Sequence, residues 1–295
     1  MNGRAILTLT VVIGLAACGA QTGQVGTAVP GAQTSIQNKG SDTMVNLALA
    51  WAEAYGQIHP EVQIAVTGGG SGTGIAALIN GTVDMANASR AIKAEVRAEA
   101  EANGIEPVEH VVAADAIAIV VHPSNPVDGL TIPELADIFA GKITNWQEVG
   151  GEDRPIVLLS RESNSGTHVF FLEEVVRQGR TDDKTLFSPD TLLMPSSEGI
   201  SAEVRQNPNA IGYDGLGYVT ADQMVVAVAP AEGQPYVLPA IDTVKDGTYP
   251  IARDLYIYTI GQPQGAILAY LEWIMGPEGQ AIVKDLGFVP LEGAE

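Results

Sequence analysis

The chain has 295 residues, with 35 Asp or Glu against 15 Lys or Arg, a formal net charge of −20 at pH 7. A hydrophobic fraction of 46% beside 17% charged residues excludes a largely disordered chain, and the length suits one large or two ordinary domains. The acidic balance excludes a nucleic-acid binder built on a basic stripe, but not a small-anion site, where local donors decide and long-range repulsion is screened over roughly 8 Å.

The N-terminus carries Arg4, an apolar stretch from Ala5 to Ala17, and then Cys18, the one cysteine. A lone cysteine excludes an internal disulfide and a thiolate zinc site. The stretch is too short to span a bilayer and has the layout of a secretory signal. Leu15-Ala16-Ala17-Cys18-Gly19 resembles a bacterial lipobox, which implies a signal peptide over residues 1–17 and a lipid on Cys18. Residues 18–35, rich in Gly, Gln, Thr and Ala, read as a flexible tether. No later segment is apolar for long enough to cross a bilayer. The body is therefore expected to be exported, either held at the outer face of the cytoplasmic membrane or periplasmic.

From Ile36 the pattern alternates short strands and helices. Met44, Leu47, Ala48, Trp51 and Tyr55 fall on one helical face. A strand over Val62–Val66 is followed by a glycine-rich loop from Gly68 to Gly74, a helix from Ile75 to Ile79 and a short strand over Val83–Ala86. Glu95 to Asn103 reads as an exposed helix stopped at Gly104. Ala116–Val121 (AIAIVV) reads as a buried strand, Ile132–Phe139 as a helix, Ile156–Leu159 as a strand and Val169–Val176 as a helix. Ala210–Val219 is rich in Gly and aromatics, Leu255–Ile260 (LYIYTI) is a second buried strand, and Ala266–Met275 is the last long helix. The alternation predicts an α/β architecture with mainly parallel sheets.

Three times a short Gly/Ser/Thr loop opens an apolar-periodic helix: Gly40-Ser41-Asp42-Thr43, Gly68 to Gly74 (GGGSGTG), and Arg161-Glu162-Ser163-Asn164-Ser165-Gly166-Thr167. A helix start offers unpaired backbone N–H groups and about half a unit of positive charge, hydroxyls add donors, and glycine lets the backbone approach closely. Three such ends converging make an anion cage, although a Ser or Thr at a helix start is ordinarily only a cap. Arg161, after a strand, and Arg90, in Ala88-Ser89-Arg90, are the candidate guanidinium partners of an oxyanion.

Enzyme signatures are missing. GGGSGTG lacks the lysine of a phosphate-binding loop, and the isolated, relaxed dinucleotide fingerprint at Gly72 is weak support for a nucleotide site. Ser71 misses the nucleophile-elbow pattern by its last glycine. His59, His110, His122 and His168 lack metal-ligand spacing, and His168 beside Ser165 is a bystander unless a nucleophile geometry supports it.

The lipobox, GSDT before a helix, TGGGSGTG, VDMANASRAI, IPELADIFAGKITNW, SRESNSGTH and AIGYDGLGYV, in this order, resemble the substrate-binding lipoproteins of bacterial phosphate ABC importers, members of the periplasmic-binding-protein superfamily. The resemblance runs from Ile36 to the C-terminus. It implies a type II two-lobed α/β fold with the ligand cleft between lobes and two hinge strands, for which AIAIVV and LYIYTI are the candidates. Lobe one would take residues 36–118 and 259–295, and lobe two residues 119–258. By the same resemblance Ser41, Asp42, Thr43, Ser71, Ser89 and Arg90 would bind phosphate from lobe one, and Arg161, Ser165, Gly166 and Thr167 from lobe two. The expected partners are inorganic phosphate, an ABC permease and a membrane reached through Cys18. A monomer is expected, with no nucleic acid, cofactor, metal or enzymatic activity.

There is one departure. Many family members place an Asp where Arg90 stands, and that Asp accepts the proton of hydrogen phosphate and so excludes sulfate. Arg90 accepts no hydrogen bond, which leaves Asp42, Glu162 and Asp214 as the nearest candidate acceptors. Sulfate, molybdate or tungstate binding, or a sensory role, are therefore alternatives within the fold. A secreted phosphoester hydrolase using Ser71 or Ser165 as nucleophile is the alternative outside it.

Overall fold

The structure, a computed structural model, describes residues 33–293. Cys18 and the signal-like segment lie outside the described residues. In chain order the elements are β1 (Thr34–Gly40), α1 (Val45–Ile58), β2 (Val62–Thr67), α2 (Ser71–Ile79), β3 (Met85–Ala88), α3 (Ala94–Ala102), β4 (Pro107–Val121), β5 (Gly129–Thr131), α4 (Ile132–Phe139), β6 (Val157–Arg161), α5 (Gly166–Phe171), β7 (Leu192–Met194), α6 (Ser197–Gln206), β8 (Ala210–Gly215), β9 (Met224–Ala229), α7 (Ile241–Lys245), β10 (Ala252–Ile260), α8 (Gly265–Met275) and α9 (Pro277–Asp285). A 3-10 turn over Asp42–Met44 precedes α1, and a π-helical segment, Leu172–Val176, continues α5.

The strands follow the order β2-β1-β3-β10-β4-β8-β6-β7, with β9 beside β4 and β5 beside β9. The sheet is mixed rather than mainly parallel: β10 runs antiparallel to β3 and β4, and β4 antiparallel to β8 and β9. Alternating strand and helix signals predict crossovers well, but they do not reveal where a strand returns from the far half of the chain.

β4 joins two halves. Its residues up to Ala116 pair with β10, and from Ile117 onward they pair with β8 and β9. The chain returns beside it: the Ile117 N–H donates to Ile251 O at 2.8 Å, and the Tyr249 hydroxyl to Ile117 O at 2.6 Å. Each half has its own core. In the first, Leu47, Trp51 and Tyr55 of α1 pack with Ile36, Leu255, Ile257, Tyr270 and Phe288, and the Trp51 indole donates to Gly279 O at 2.8 Å. In the second, Leu135, Ile138 and Phe139 of α4 pack with Ile119, Phe171, Ile211 and Tyr213.

Three boundaries differ from the sequence reading. Thr34 and Ser35, assigned to the tether, are part of β1 opposite Val62 and Gln63. β4 begins at Pro107, because its polar first part is paired although half exposed. Ala252–Tyr258, assigned to the second lobe, lie in the first half beside β3 and the first part of β4. An apolar run reports burial, not which sheet it joins.

Candidate anion-binding site

The three hydroxyl loops converge where the halves meet. From the first half, the turn after β1 presents Ser41, Asp42 and Thr43, and α2 opens at Ser71, four residues before the expected start at Ile75. Close packing of α2 on β1 explains that early start. A Cβ on Gly74 would lie 2.5 Å from Gly40 Cα, so only glycine lets the first turn of α2 approach β1. The Gly70 N–H donates to Gly40 O at 2.9 Å and ties the two loops together.

Neither Ser41 nor Ser71 caps its helix. The Ser41 hydroxyl is buried without a hydrogen-bond partner. Ser71 Oγ accepts the Ser89 N–H at 3.0 Å and lies 3.3 Å from Ser89 Oγ. Ser165 is a cap: its hydroxyl accepts the N–H groups of Thr167 and His168 at 3.2 and 3.4 Å, which leaves its own proton to donate.

Contacts between the halves are direct. The Thr43 and Thr167 hydroxyls share a 2.8 Å hydrogen bond. A Cβ on Gly166 would lie 2.3 Å from Ser71 Oγ and 2.6 Å from Ser89 Oγ, so the start of α5 faces both serines at a distance only glycine permits. Asn164 clasps the same seam, its side-chain amide donating to Gly69 O at 2.9 Å while its backbone carbonyl accepts the Gly72 N–H at 3.0 Å.

Arg161, at the end of β6, is buried and bridges the halves. It donates to Asp42 Oδ2 at 2.6 Å, Ser197 Oγ at 2.8 Å and Pro195 O at 3.2 Å, and its Nε is buried without a partner. Burial pushes the Asp42 carboxyl up from its ordinary value, against the pull of Arg161. Asp214 lies deeper: Oδ1 accepts the Gly215 N–H at 2.9 Å, while Oδ2 is buried without a partner. Its pKa is raised to about 7 by burial, with Ser197 and Arg161 opposing. Glu162 is exposed.

Arg90 makes no hydrogen bond to the hydroxyl cluster. It is half-buried, donates to Ala91 O at 2.9 Å, has its Nε buried without a partner, and lines the groove between α2 and α3 with Ile75, Ile79 and Ile92 and a second groove with Phe170 and Arg253. The cation at the centre is one that sequence reasoning missed, Arg253 on β10. Its Nη2 donates to Asp115 Oδ2 at 2.9 Å and Thr167 Oγ1 at 3.0 Å, with Thr43 Oγ1 at 3.5 Å, and its Nη1 donates to Ser89 O at 2.9 Å. Asp115, fully buried on β4, was missed with it. Both sit in apolar strand sequence without a flanking Gly/Ser/Thr loop, so the loop pattern carried no signal for them.

His168 is turned away from the cluster. Its Nδ1 lies 3.0 Å from Ser160 Oγ, which is itself 2.5 Å from the Tyr213 hydroxyl. Burial lowers its pKa. Among the described residues no group of three or more His, Cys, Asp or Glu is placed to hold a metal ion, and no helix is long and apolar enough to cross a membrane.

A family profile described as PBP superfamily domain matches residues 25–278. The phosphate-binding protein PstS of Pseudomonas aeruginosa is 34% identical over 278 residues, covering 88% of this chain and 84% of that protein. PstS of Bacillus subtilis is 32% identical over 266 residues, covering 88% and 82%. Among solved structures, a protein from Clostridium perfringens named as a phosphate ABC transporter substrate-binding protein, with bound phosphate, superposes with a TM-score of 0.78 at 30% identity, over 88% of this chain and 100% of that one. An ABC-type phosphate transport receptor from Vibrio cholerae gives 0.69 at 27% identity, over the same shares. With two halves joined by paired crossings and hydroxyl loops meeting between them, the chain belongs to the PBP superfamily and, within it, to the family of the PstS phosphate-binding proteins.

Proposed function

We propose that this protein captures inorganic phosphate outside the cytoplasm and delivers it to the permease of an ABC importer, working as a monomer tethered through a lipid on Cys18 and not as an enzyme. The observation that carries this reading is the meeting of Thr43 and Ser71 from one half with Gly166 and Thr167 from the other, beside the buried Arg161. Each half supplies part of a donor set, so an anion binds both at once only in the closed state and shifts the population toward it. The proposed ligand groups are the hydroxyls of Ser41, Thr43, Ser71, Ser89, Ser165 and Thr167, backbone N–H groups around Asp42 and Gly166, and the Arg161 guanidinium. Arg90 is assigned to the rim, where its charge attracts the anion without ordering it.

Carboxylates favour phosphate over a fully deprotonated oxyanion. A carboxylate facing sulfate would set two acceptors against each other without a proton between them, at a cost of several kcal/mol. Asp42 and Asp214 both border Arg161, and Asp214 Oδ2 lacks a partner. They are the candidates to take the ligand's proton in place of the absent rim carboxylate. The hydrolase reading finds less support, because Ser165 spends its lone pairs as a cap and, among the described residues, Ser71 Oγ has hydrogen-bond partners on Ser89 and none on a histidine.

Titration calorimetry of the purified protein with phosphate and, separately, with sulfate, molybdate and tungstate tests the reading. It predicts one phosphate per chain with heat at micromolar protein and at least about 100-fold weaker binding of the others, a discrimination of about 2.7 kcal/mol. Absent phosphate heat beside tight binding of another oxyanion would contradict it.

A further inference from the structure

We propose that Arg253 is a second anion-binding guanidinium of this site and that Asp115 is the residue positioning it, an inference that rests on the phosphate-capture reading above. Arg253 and Asp115 are direct cross-strand neighbours on β10 and β4. Their side chains are only 2% and 0% exposed. Arg–carboxylate pairs frequently meet through two parallel donors, which spends the fork on the carboxylate. Here one nitrogen, Nη2, meets Asp115, and the same nitrogen reaches the Thr167 and Thr43 hydroxyls, one from each half. Asp115 is held in turn, its other oxygen accepting the Leu216 N–H at 3.1 Å. The carboxylate therefore fixes the guanidinium, and the remaining donors are left for another acceptor. Nε is one of these, buried without a partner.

Proton counting points the same way. The Thr43 and Thr167 hydroxyls both lie against Nη2, and the hydrogen bond between them uses one of their two protons. Among the described residues the second proton has no acceptor within hydrogen-bond distance, since Asp115 meets Arg253 and neither hydroxyl. An oxyanion oxygen there would take that proton from a hydroxyl polarised by the guanidinium, a cooperative arrangement. The Phe170 ring, 5.5 Å from the guanidinium carbon, covers one face and keeps the charge in an apolar setting where it acts strongly. Phosphate would thus meet one guanidinium at the end of β6 and one at the return crossing of the chain.

The test is calorimetry with inorganic phosphate on the wild type, R253M, D115N, R253M/D115N and R253K, each with a thermal melt. R253M strands a buried carboxylate and is expected to melt early; adding D115N removes that charge and restores the melt. The inference predicts that the double variant, melting near the wild type, binds phosphate at least about 100-fold more weakly, and that R253K, which keeps the charge but not the fork, loses about 10-fold. It further predicts that D115N weakens binding when Arg253 is present but adds no loss in the R253M background, the coupling expected of a positioning residue. A double variant or R253K that binds within about 3-fold of the wild type makes the pair a purely structural one and overturns the inference alone. A wild type that binds no phosphate overturns it together with the capture reading.

Discussion

At the scale of single residues, the two buried arginines differ in how they could be found. Arg161 stands at the end of a strand and at the head of a hydroxyl loop, a place where sequence alone suggests an anion partner. Arg253 lies in ARDLYIYTI, which reads as core. Its role depends on Asp115, which is 138 residues away in sequence and directly opposite in the sheet. Removing Arg161 leaves Asp42 and Ser197 without their donor. R161A is therefore expected to weaken phosphate binding by about 2–5 kcal/mol, read by calorimetry; unchanged affinity would place Arg161 outside the ligand shell.

Asp214 sets a pH dependence. Its folded pKa of about 7 lies above the ordinary 3.8. Between those values the folded state keeps a proton that the unfolded state has lost, so this group's contribution to stability falls as pH rises through that window. The Arg161 guanidinium and the Ser197 hydroxyl beside it oppose the shift, and the Asp115 carboxylate adds to it. The stability of D214N relative to wild type, from melts without phosphate, should therefore grow from about pH 4 to about pH 7 and then level off, at no more than about 4 kcal/mol. A constant difference across that range would show that Asp214 is ionised throughout.

At the scale of elements, the helix starts were legible and their registers were less so. α4 falls where its pattern placed it, Ile132–Phe139, with Thr131 and Glu134 forming a capping box at its head. α2 begins earlier than expected because GGGSGT has low intrinsic helix propensity, which packing against β1 overrides. Sequence could not separate a capping serine from a ligand serine, since both look alike until the hydroxyl's partners are seen. Ser165 caps, whereas Ser41 and Ser71 do not. The approach of α5 to Ser71 and Ser89 depends on the missing side chain at Gly166. G166A would force the two halves apart at the seam. It is expected to lower phosphate affinity at least about 10-fold, while costing about 1–3 kcal/mol in a melt through overpacking. Wild-type affinity in that variant would mean that the close approach is dispensable.

At the scale of the whole molecule, the two-lobed α/β plan was legible from the alternation and the ordered motifs. The mixed sheet was not, because β10 returns to the first half after the chain has built the second. The crossings lie side by side near Ile117 and Ile251, so a small change of backbone angle there swings one half against the other. Phosphate is expected to reduce the radius of gyration in small-angle scattering, and N164A, which removes the side-chain bond to Gly69 O across the seam, is expected to leave the unliganded protein more open. Identical scattering with and without phosphate would mean that capture proceeds without closure.

A crystal structure of the protein grown with phosphate tests the whole account most directly. The account predicts one phosphate between the halves, its oxygens within hydrogen-bond distance of Thr43 and Ser71 on one side and of Gly166, Thr167 and Arg161 on the other. Phosphate held by residues of one half alone, or bound away from Thr43 and Thr167, would contradict it.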